Sequence, residues 1–199
     1  MAELKLFGKW DMKEIKIEDP GLQKYVNISQ AMVPKTYGRH GGISFHKARM
    51  NIVERFVNKL MVPGHRGRKH KITSGRCTGN TATILKSVEK ALEIVEKKSN
   101  QNPVQVFVKA IENSAPLEEI AAYRLGGIIA RKSVIIAPQR RLDLALRHLT
   151  QGIYAGSFRK KKSLAQAIAD ELMLAASDDK TSFAVSERAR LEREAEGAR

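Results

Sequence analysis

Apolar residues recur along most of this chain at the three- and four-residue spacing of an amphipathic helix. The first stripe runs from Phe45 through Ile52, Val53, Phe56, Val57, Leu60 and Met61. It predicts a helix over 44–61, with Ser44 as N-cap and Pro63-Gly64 as its stop. A second helix is predicted over about 80–98, on Ile84, Leu85, Val88, Leu92 and Val95. Asn102-Pro103 reads as an N-cap followed by proline at the first helical position, where its missing N–H costs nothing. Val104, Phe107, Val108 and Ile111 form the apolar side of that helix. Pro138 opens a further helix that buries Leu142, Ala145, Leu146, Leu149 and Ile153. Ser163 caps another, with Leu164, Ile168, Leu172 and Ala175, which Ser177-Asp-Asp ends. From about Thr181 a mixed-charge helix follows. Its apolar face is thin (Phe183, Val185, Leu191), so its outer end is expected to be exposed or held by a partner.

The period changes over 117–136. Two β-prone runs, LEEIAAYRL and IIARKSVII, flank Gly126-Gly127. Two consecutive glycines can both adopt positive φ, which is what a tight hairpin turn demands. An isolated pair of strands is marginal in water, so part of this hairpin should need a partner surface. Residues 1–43 show no sustained helical period. Lys5 to Trp10 fits a short strand or ordered arm, and Pro34 to Gly42 is a basic, glycine-bearing connector. This segment is too poor in apolar residues to fold alone and reads as an extension lying on something else. The expected organisation is mainly α: an N-terminal extension (1–43) and a helical domain (44–199) carrying a β-hairpin arm at about 117–136.

Charge narrows the partner. The 199 residues hold 36 Lys plus Arg against 21 Asp plus Glu, a net charge of +15. Such a surplus opposes compaction, and a polyanion would relieve it. Nucleic acid is the first candidate and an anionic membrane surface the second. No run of 18 or more apolar residues suggests a membrane span, and the N-terminus carries no apolar export signal. The single cysteine, Cys77, excludes an intrachain disulfide framework and suits a reduced, cytoplasmic setting. The cations fall into clusters. Lys35, Arg39, Lys47 and Arg49 precede or open the first helix, whose polar face adds Arg55 and Lys59. Arg55 and Lys59 are a like-charge i, i+4 pair, mildly unfavourable until an anion binds. The glycine-rich loop 64–79, with no acid, carries Arg66, Arg68, Lys69, Lys71 and Arg76. Arg124, Arg131 and Lys132 lie on the hairpin, Arg140, Arg141 and Arg147 on the helix after it, and Arg159, Lys160, Lys161 and Lys162 form a run. Helix starts and glycine-rich turns also offer free N–H groups to phosphate.

Other chemistries fit less well. His65, His70 and Cys77 match no zinc-ligand spacing and lack a fourth ligand, so no metal is expected. Gly75-Arg-Cys-Thr-Gly-Asn80 lacks the Lys-Ser/Thr ending of a phosphate loop and reads as the lead-in to a helix. The adjacent pairs Glu118-Glu119 and Asp178-Asp179 point apart and make poor acid–base couples. No nucleophile–base pattern, and no cofactor motif, asks for an enzyme. Aromatic content of 6% argues against a single-strand stacking platform. A helical body with a basic hairpin and basic extensions suits recognition of folded RNA by shape and phosphate. A nucleic-acid-modifying enzyme and a DNA-compacting protein remain as alternatives.

Several segments together carry a resemblance. VERFVNKLM at 53–61, NPVQVFVKAIENS at 102–114, LGG at 125–127, the AP-x-RR run at 137–141 and ADELMLAA at 169–176 resemble, in order and spacing, the universal family of ribosomal protein seven of the small subunit. LKLFGKW at the start, HRGRKHKITSGRCTG and the SFAV…RLEREA tail look like its archaeal and eukaryotic branch. The lack of a longer N-terminal stretch favours the archaeal form. The resemblance implies a bundle of about six helices with a β-ribbon protruding between the third and fourth. It implies a primary binder of the 3′ major domain of small-subunit ribosomal RNA that organises the head, without catalysis or cofactor. It places exit-site transfer RNA and the messenger path nearby, with neighbouring head and platform proteins. The ribbon tip Gly126, Gly127 and Ile128 would face transfer RNA or a neighbour protein. Lys47, Arg49, Arg55 and Lys59 would lie on the RNA-facing side.

Overall fold

The computed structural model describes residues 4–63, 65–66, 69–70, 77 and 79–199. Six α-helices are described: α1 (Ile52–Leu60), α2 (Thr81–Ser99), α3 (Pro103–Ser114), α4 (Pro138–Ser157), α5 (Leu164–Ala176) and α6 (Phe183–Glu196). The two-residue strands β1 (His65–Arg66) and β2 (Lys69–His70) pair antiparallel between α1 and α2. Between α3 and α4 stands a long ribbon of β3 (Glu118–Leu125) and β4 (Ile128–Ile135), antiparallel from Glu118↔Ile135 to Leu125↔Ile128. Gly126 (φ 54°) and Gly127 (φ 99°) make its turn, where a Cβ would be strained at both positions.

Local caps set most helix starts. Asn102 accepts from the Val104 N–H at 3.0 Å ahead of Pro103, and Ser163 accepts from Gln166 N–H at 3.2 Å. The first helix departs from expectation. It does not begin at Ser44: His46–Arg49 forms only a 3-10 turn, and Met50 is extended. Asn51 is the true cap. Its Oδ1 accepts from Val53 N–H at 2.9 Å while its Nδ2 donates to Ser29 O at 2.8 Å. The N-terminal segment thus fixes where α1 starts, through a contact that local periodicity does not encode. Phe45, assigned to the apolar stripe, is instead 83% exposed.

The core lies among α1 to α5, with Ala184 and Val185 of α6 adding to it. Phe56 and Phe107 meet with ring centroids 5.0 Å apart, beside Val53, Val88, Leu92, Val104 and Leu172. Residues 4–43 lie across this body with little regular structure, and Leu6, Trp10, Met12, Leu22 and Val26 are buried in the same core. Polar tethers hold the strap: Asn102 Nδ2 donates to Asp11 O at 2.8 Å, and Gln105 exchanges two bonds with Lys16 at 2.9 and 3.0 Å. What the extension lies on is therefore the chain's own helices. Cys77 is also buried in the core, which pushes its thiol up to about 11 and keeps it protonated at neutral pH. Among the described residues, no helix is long and apolar enough to cross a membrane.

The C-terminal helix is docked on this chain along its length. Glu171 of α5 accepts from the Ser182 hydroxyl (2.9 Å) and Ala184 N–H (3.2 Å) at the start of α6. Burial raises that carboxyl above its usual range, against the effect of those hydrogen bonds. At the far end, Arg199 pairs with Glu118 at 2.6 Å, and Leu117 N–H donates to Glu192 at 3.1 Å. The ribbon base is the partner that the thin face of α6 lacked, and α6 is the partner that the isolated ribbon lacked. Gly152 of α4 sits where α5 and α6 close. A Cβ there would lie 2.8 Å from Glu171 Oε1 and 2.9 Å from Phe183 Cβ. Overpacking costs about 1–3 kcal/mol, whereas alanine gains about 1 kcal/mol in helix propensity. Gly152→Ala is therefore expected to lose up to about 2 kcal/mol in denaturant unfolding; a stabilised variant would show that this junction yields freely.

Candidate nucleic-acid interface

One face joins α1 and α4. Asn51 sets the phase of α1, which puts Arg55 and Lys59 on one side of it. On α4, Asp143 and Arg147 are four apart and so share a face. Arg55 Nη2 donates to Asp143 Oδ1 at 2.8 Å, and Lys47 from the preceding turn pairs with the other oxygen of the same carboxylate. Burial works against ionisation of Asp143, but the ion pairs with Lys47 and Arg55 outweigh it and hold the carboxyl below its usual range. Lys59 shifts downward, first through burial and then through repulsion from Arg147, with Lys47 and Arg55 adding to it. Two cations thus hold the carboxylate, and Lys59 and Arg147 add positive charge beside them. The residual charge is positive, partly desolvated and held in place, which is the electrostatic form of a phosphate site.

The same geometry sorts the other basic residues. Arg55 is buried, and its Nη1 has no hydrogen-bond partner among the described residues. Arg140 and Arg141 are adjacent but diverge. Arg140 is exposed and makes a two-pronged bond to Glu119 at the ribbon base, at 2.5 and 2.6 Å. Arg141 is buried: its Nη2 donates to Asp19 at 2.7 Å and its Nε to Pro116 O at 3.2 Å. Arg55 and Arg141 therefore act largely inside the chain, one holding Asp143 and the other fastening the strap to α4. Lys35, Arg39, Lys47 and Arg49 are exposed on the approach to α1.

Along the ribbon, Arg124, Arg131 and Lys132 are all exposed. The register places Arg131 opposite Ala122 and Lys132 opposite Ala121. Arg124 and Arg131 consequently share one face and Lys132 takes the other. Ile128 and Ile129 at the tip are 76% and 65% exposed. Beyond the C-terminus of α4, Arg159, Lys160 and Lys161 are exposed, while Lys162 joins Lys98 on Asp170. This cluster is separated from Arg147 by about three turns of helix, roughly 15 Å, and forms a second patch. Arg68, Lys71 and Arg76 lie outside the described residues, as does most of the 64–79 loop; of Arg66 and Lys69 only the paired backbone is described.

Two features escaped the sequence reading. Asp143 is the organising acid of the α1–α4 face; its position between Arg140 and Arg147 at helical spacing was the available signal. His40 and His46 also meet, Nδ1 to Nδ1 at 2.7 Å, folding the 35–49 segment back on itself. Among the described residues, no group of three His, Cys, Asp or Glu is placed to hold a metal ion.

Comparison with known proteins agrees with this architecture. The family model for ribosomal protein S7p/S5e matches residues 22–199. The chain is 43% identical over 197 residues to the small ribosomal subunit protein uS7 of Nanoarchaeum equitans, covering 99% of this chain and all of the relative. It is 46% identical over 195 residues to that of Methanosphaera stadtmanae, covering 98% of each. It is 46% identical over 198 residues to that of Methanococcus aeolicus, covering 99% of this chain and all of the relative. With a match of this extent, six helices and a ribbon between the third and fourth, the chain belongs to the ribosomal protein S7p/S5e family of the small ribosomal subunit.

Proposed function

We propose that this chain is a primary binder of the 3′ major domain of small-subunit ribosomal RNA and helps organise the head of the cytoplasmic small subunit. The observation that carries this reading is the α1–α4 face, where Lys47 and Arg55 pair with the carboxylate of Asp143 and Lys59 lies close enough to Arg147 to be repelled by it. Asp143 holds Lys47 and Arg55 in place before RNA arrives, so fewer rotamers are lost on binding. The exposed cations Lys35, Arg39, Arg49, Arg159, Lys160 and Lys161 extend the anionic footprint. The loop cations Arg66, Arg68, Lys69, Lys71 and Arg76 belong to the same proposal. Gly126, Gly127 and Ile128 at the ribbon tip are assigned to exit-site transfer RNA or a neighbouring platform protein, with the messenger path nearby. The exposed isoleucines of the tip support a contact there. The family is one of ribosomal structural proteins and not of enzymes.

The test is binding of the full chain to a transcript of that RNA domain across a salt series. A protein neutralising about 6–10 phosphates loses on the order of a thousandfold in affinity between 50 and 200 mM salt. Equal affinity for any RNA duplex of similar length would overturn the specific reading, and equal competition by duplex DNA would favour a general compacting protein. The ribbon gives a separate result. Arg124, Arg131 and Lys132 changed together to alanine should alter stability by no more than about 0.5 kcal/mol per position, as exposed positions do, while weakening RNA or neighbour-protein contacts. Loss of the helical circular-dichroism signal would place these side chains in the fold after all.

A further inference from the structure

The segment leading into α1 exposes two large aromatic rings. Tyr37 is 80% exposed and Phe45 is 83% exposed. Both also sit in the left-handed backbone region, at φ 53° and φ 60°. Bulky side chains rarely adopt that region, and such strain persists where surrounding structure enforces it, commonly at binding sites. The enforcement is visible. Thr36 donates to Glu54 Oε1 through both its N–H (2.7 Å) and its hydroxyl (2.8 Å), anchoring the segment to α1. The His40–His46 contact then folds residues 37 and 45 into one loop. Neither ring is tucked against the core, although burial would be favourable for both.

The surroundings point to an anion. From Pro20 to Val53 the chain has no Asp or Glu, yet it carries Lys24, Lys35, Arg39, Lys47 and Arg49. Lys35 Nζ lies 4.7 Å from the centre of the Tyr37 ring, which covers one face with a cation and leaves the other face for a planar group. Phe45 stands immediately before the turn that presents Lys47 to the α1–α4 face.

We infer that Tyr37 and Phe45 are a stacking site for unpaired RNA bases, set beside the phosphate-binding cations. This rests on the RNA-binding reading above and adds a second mode to it. Rings take the faces of looped-out bases, which cations cannot discriminate from duplex. Low aromatic content does not speak against it, because two rings suffice when the fold keeps both outside.

The experiment uses the full chain with three probes: a transcript of the 3′ major domain, a fully paired RNA duplex of equal length, and vesicles containing anionic phosphatidylserine. Tyr37→Ala and Phe45→Ala are each expected to lose about tenfold in affinity for the transcript, as base–aromatic contacts do. Their salt slope should match that of the unaltered chain, because no charge is removed. Tyr37→Phe and Phe45→Tyr should retain binding, and affinity for the paired duplex should not change. Unaltered affinity of both alanine variants for the transcript overturns the stacking site, as does an equal loss on the duplex. So does a loss confined to anionic phosphatidylserine vesicles, which would make the rings a membrane contact. If the unaltered chain itself fails to prefer the transcript, the RNA-binding reading has failed, and this one with it. Circular dichroism of each variant separates lost contact from lost fold.

Discussion

Replacing Asp143 with alanine is expected to cost about 2–3 kcal/mol of folding stability. The reason lies in its partner rather than in the carboxylate. Arg55 is almost fully buried (5% side-chain exposure) and its named acidic partner is Asp143, itself 30% exposed. Removing one member of a buried pair leaves an uncompensated charge, which costs about 3–5 kcal/mol when both are fully desolvated. The partial exposure of Asp143 lowers that figure. Chemical denaturation measures it, and a loss below about 0.5 kcal/mol would mean that Arg55 is satisfied by other groups.

The same pair predicts an acid response. The folded-state pKa of Asp143 lies below its unfolded value near 3.8. Its stabilising contribution is therefore fully present above the unfolded pKa and is lost as pH falls through the folded one. Asp143→Asn should unfold with a shallower dependence on pH across that acid range.

The second large effect is on binding. Lys47, Lys59 and Arg147 changed together to glutamine should lower affinity for the RNA domain by a few hundredfold near 0.1 M salt. Each phosphate contact contributes about 0.7–0.9 to the slope of log affinity against log salt, depending on the form of the nucleic acid. Loss of three contacts therefore flattens the slope by about 2–3, and it removes a similar number of decades of counterion-release free energy at that salt. Stability should change far less than in Asp143→Ala, because Lys47 and Arg147 are exposed, and removing the half-buried Lys59 relieves its burial cost and its repulsion from neighbouring cations. An unchanged salt slope would mean that these cations do not meet phosphate, and the RNA-facing side would have to be sought elsewhere. The two experiments are complementary. One removes the acid that arranges the face and is read in stability; the other removes the cations it arranges and is read in binding.

What the sequence by itself determined were the properties written in short-range chemistry. The apolar stripes of α2, α3, α4 and α5 are periodic over their own lengths, and their caps Asn102 and Ser163 act within three residues. Gly126-Gly127 specifies the hairpin turn because both positions require positive φ. The positive surplus is a sum over residues and needs no fold to be known. Only the tertiary structure decided where long side chains spend their charge. Arg55 meets an acid 88 residues away, and Arg141 one 122 residues away, so sequence spacing could not foretell that both are buried while Arg147 and Arg140 stay exposed. The start of α1 moved to Asn51 because the strap supplies Ser29 O, and the C-terminal helix docked because the ribbon supplied Glu118 and the Leu117 N–H. The exposure of Tyr37 and Phe45 belongs to the same class. A ring's hydrophobicity argues for burial, and only the anchoring of its loop through Thr36 and the His40–His46 contact keeps it at the surface.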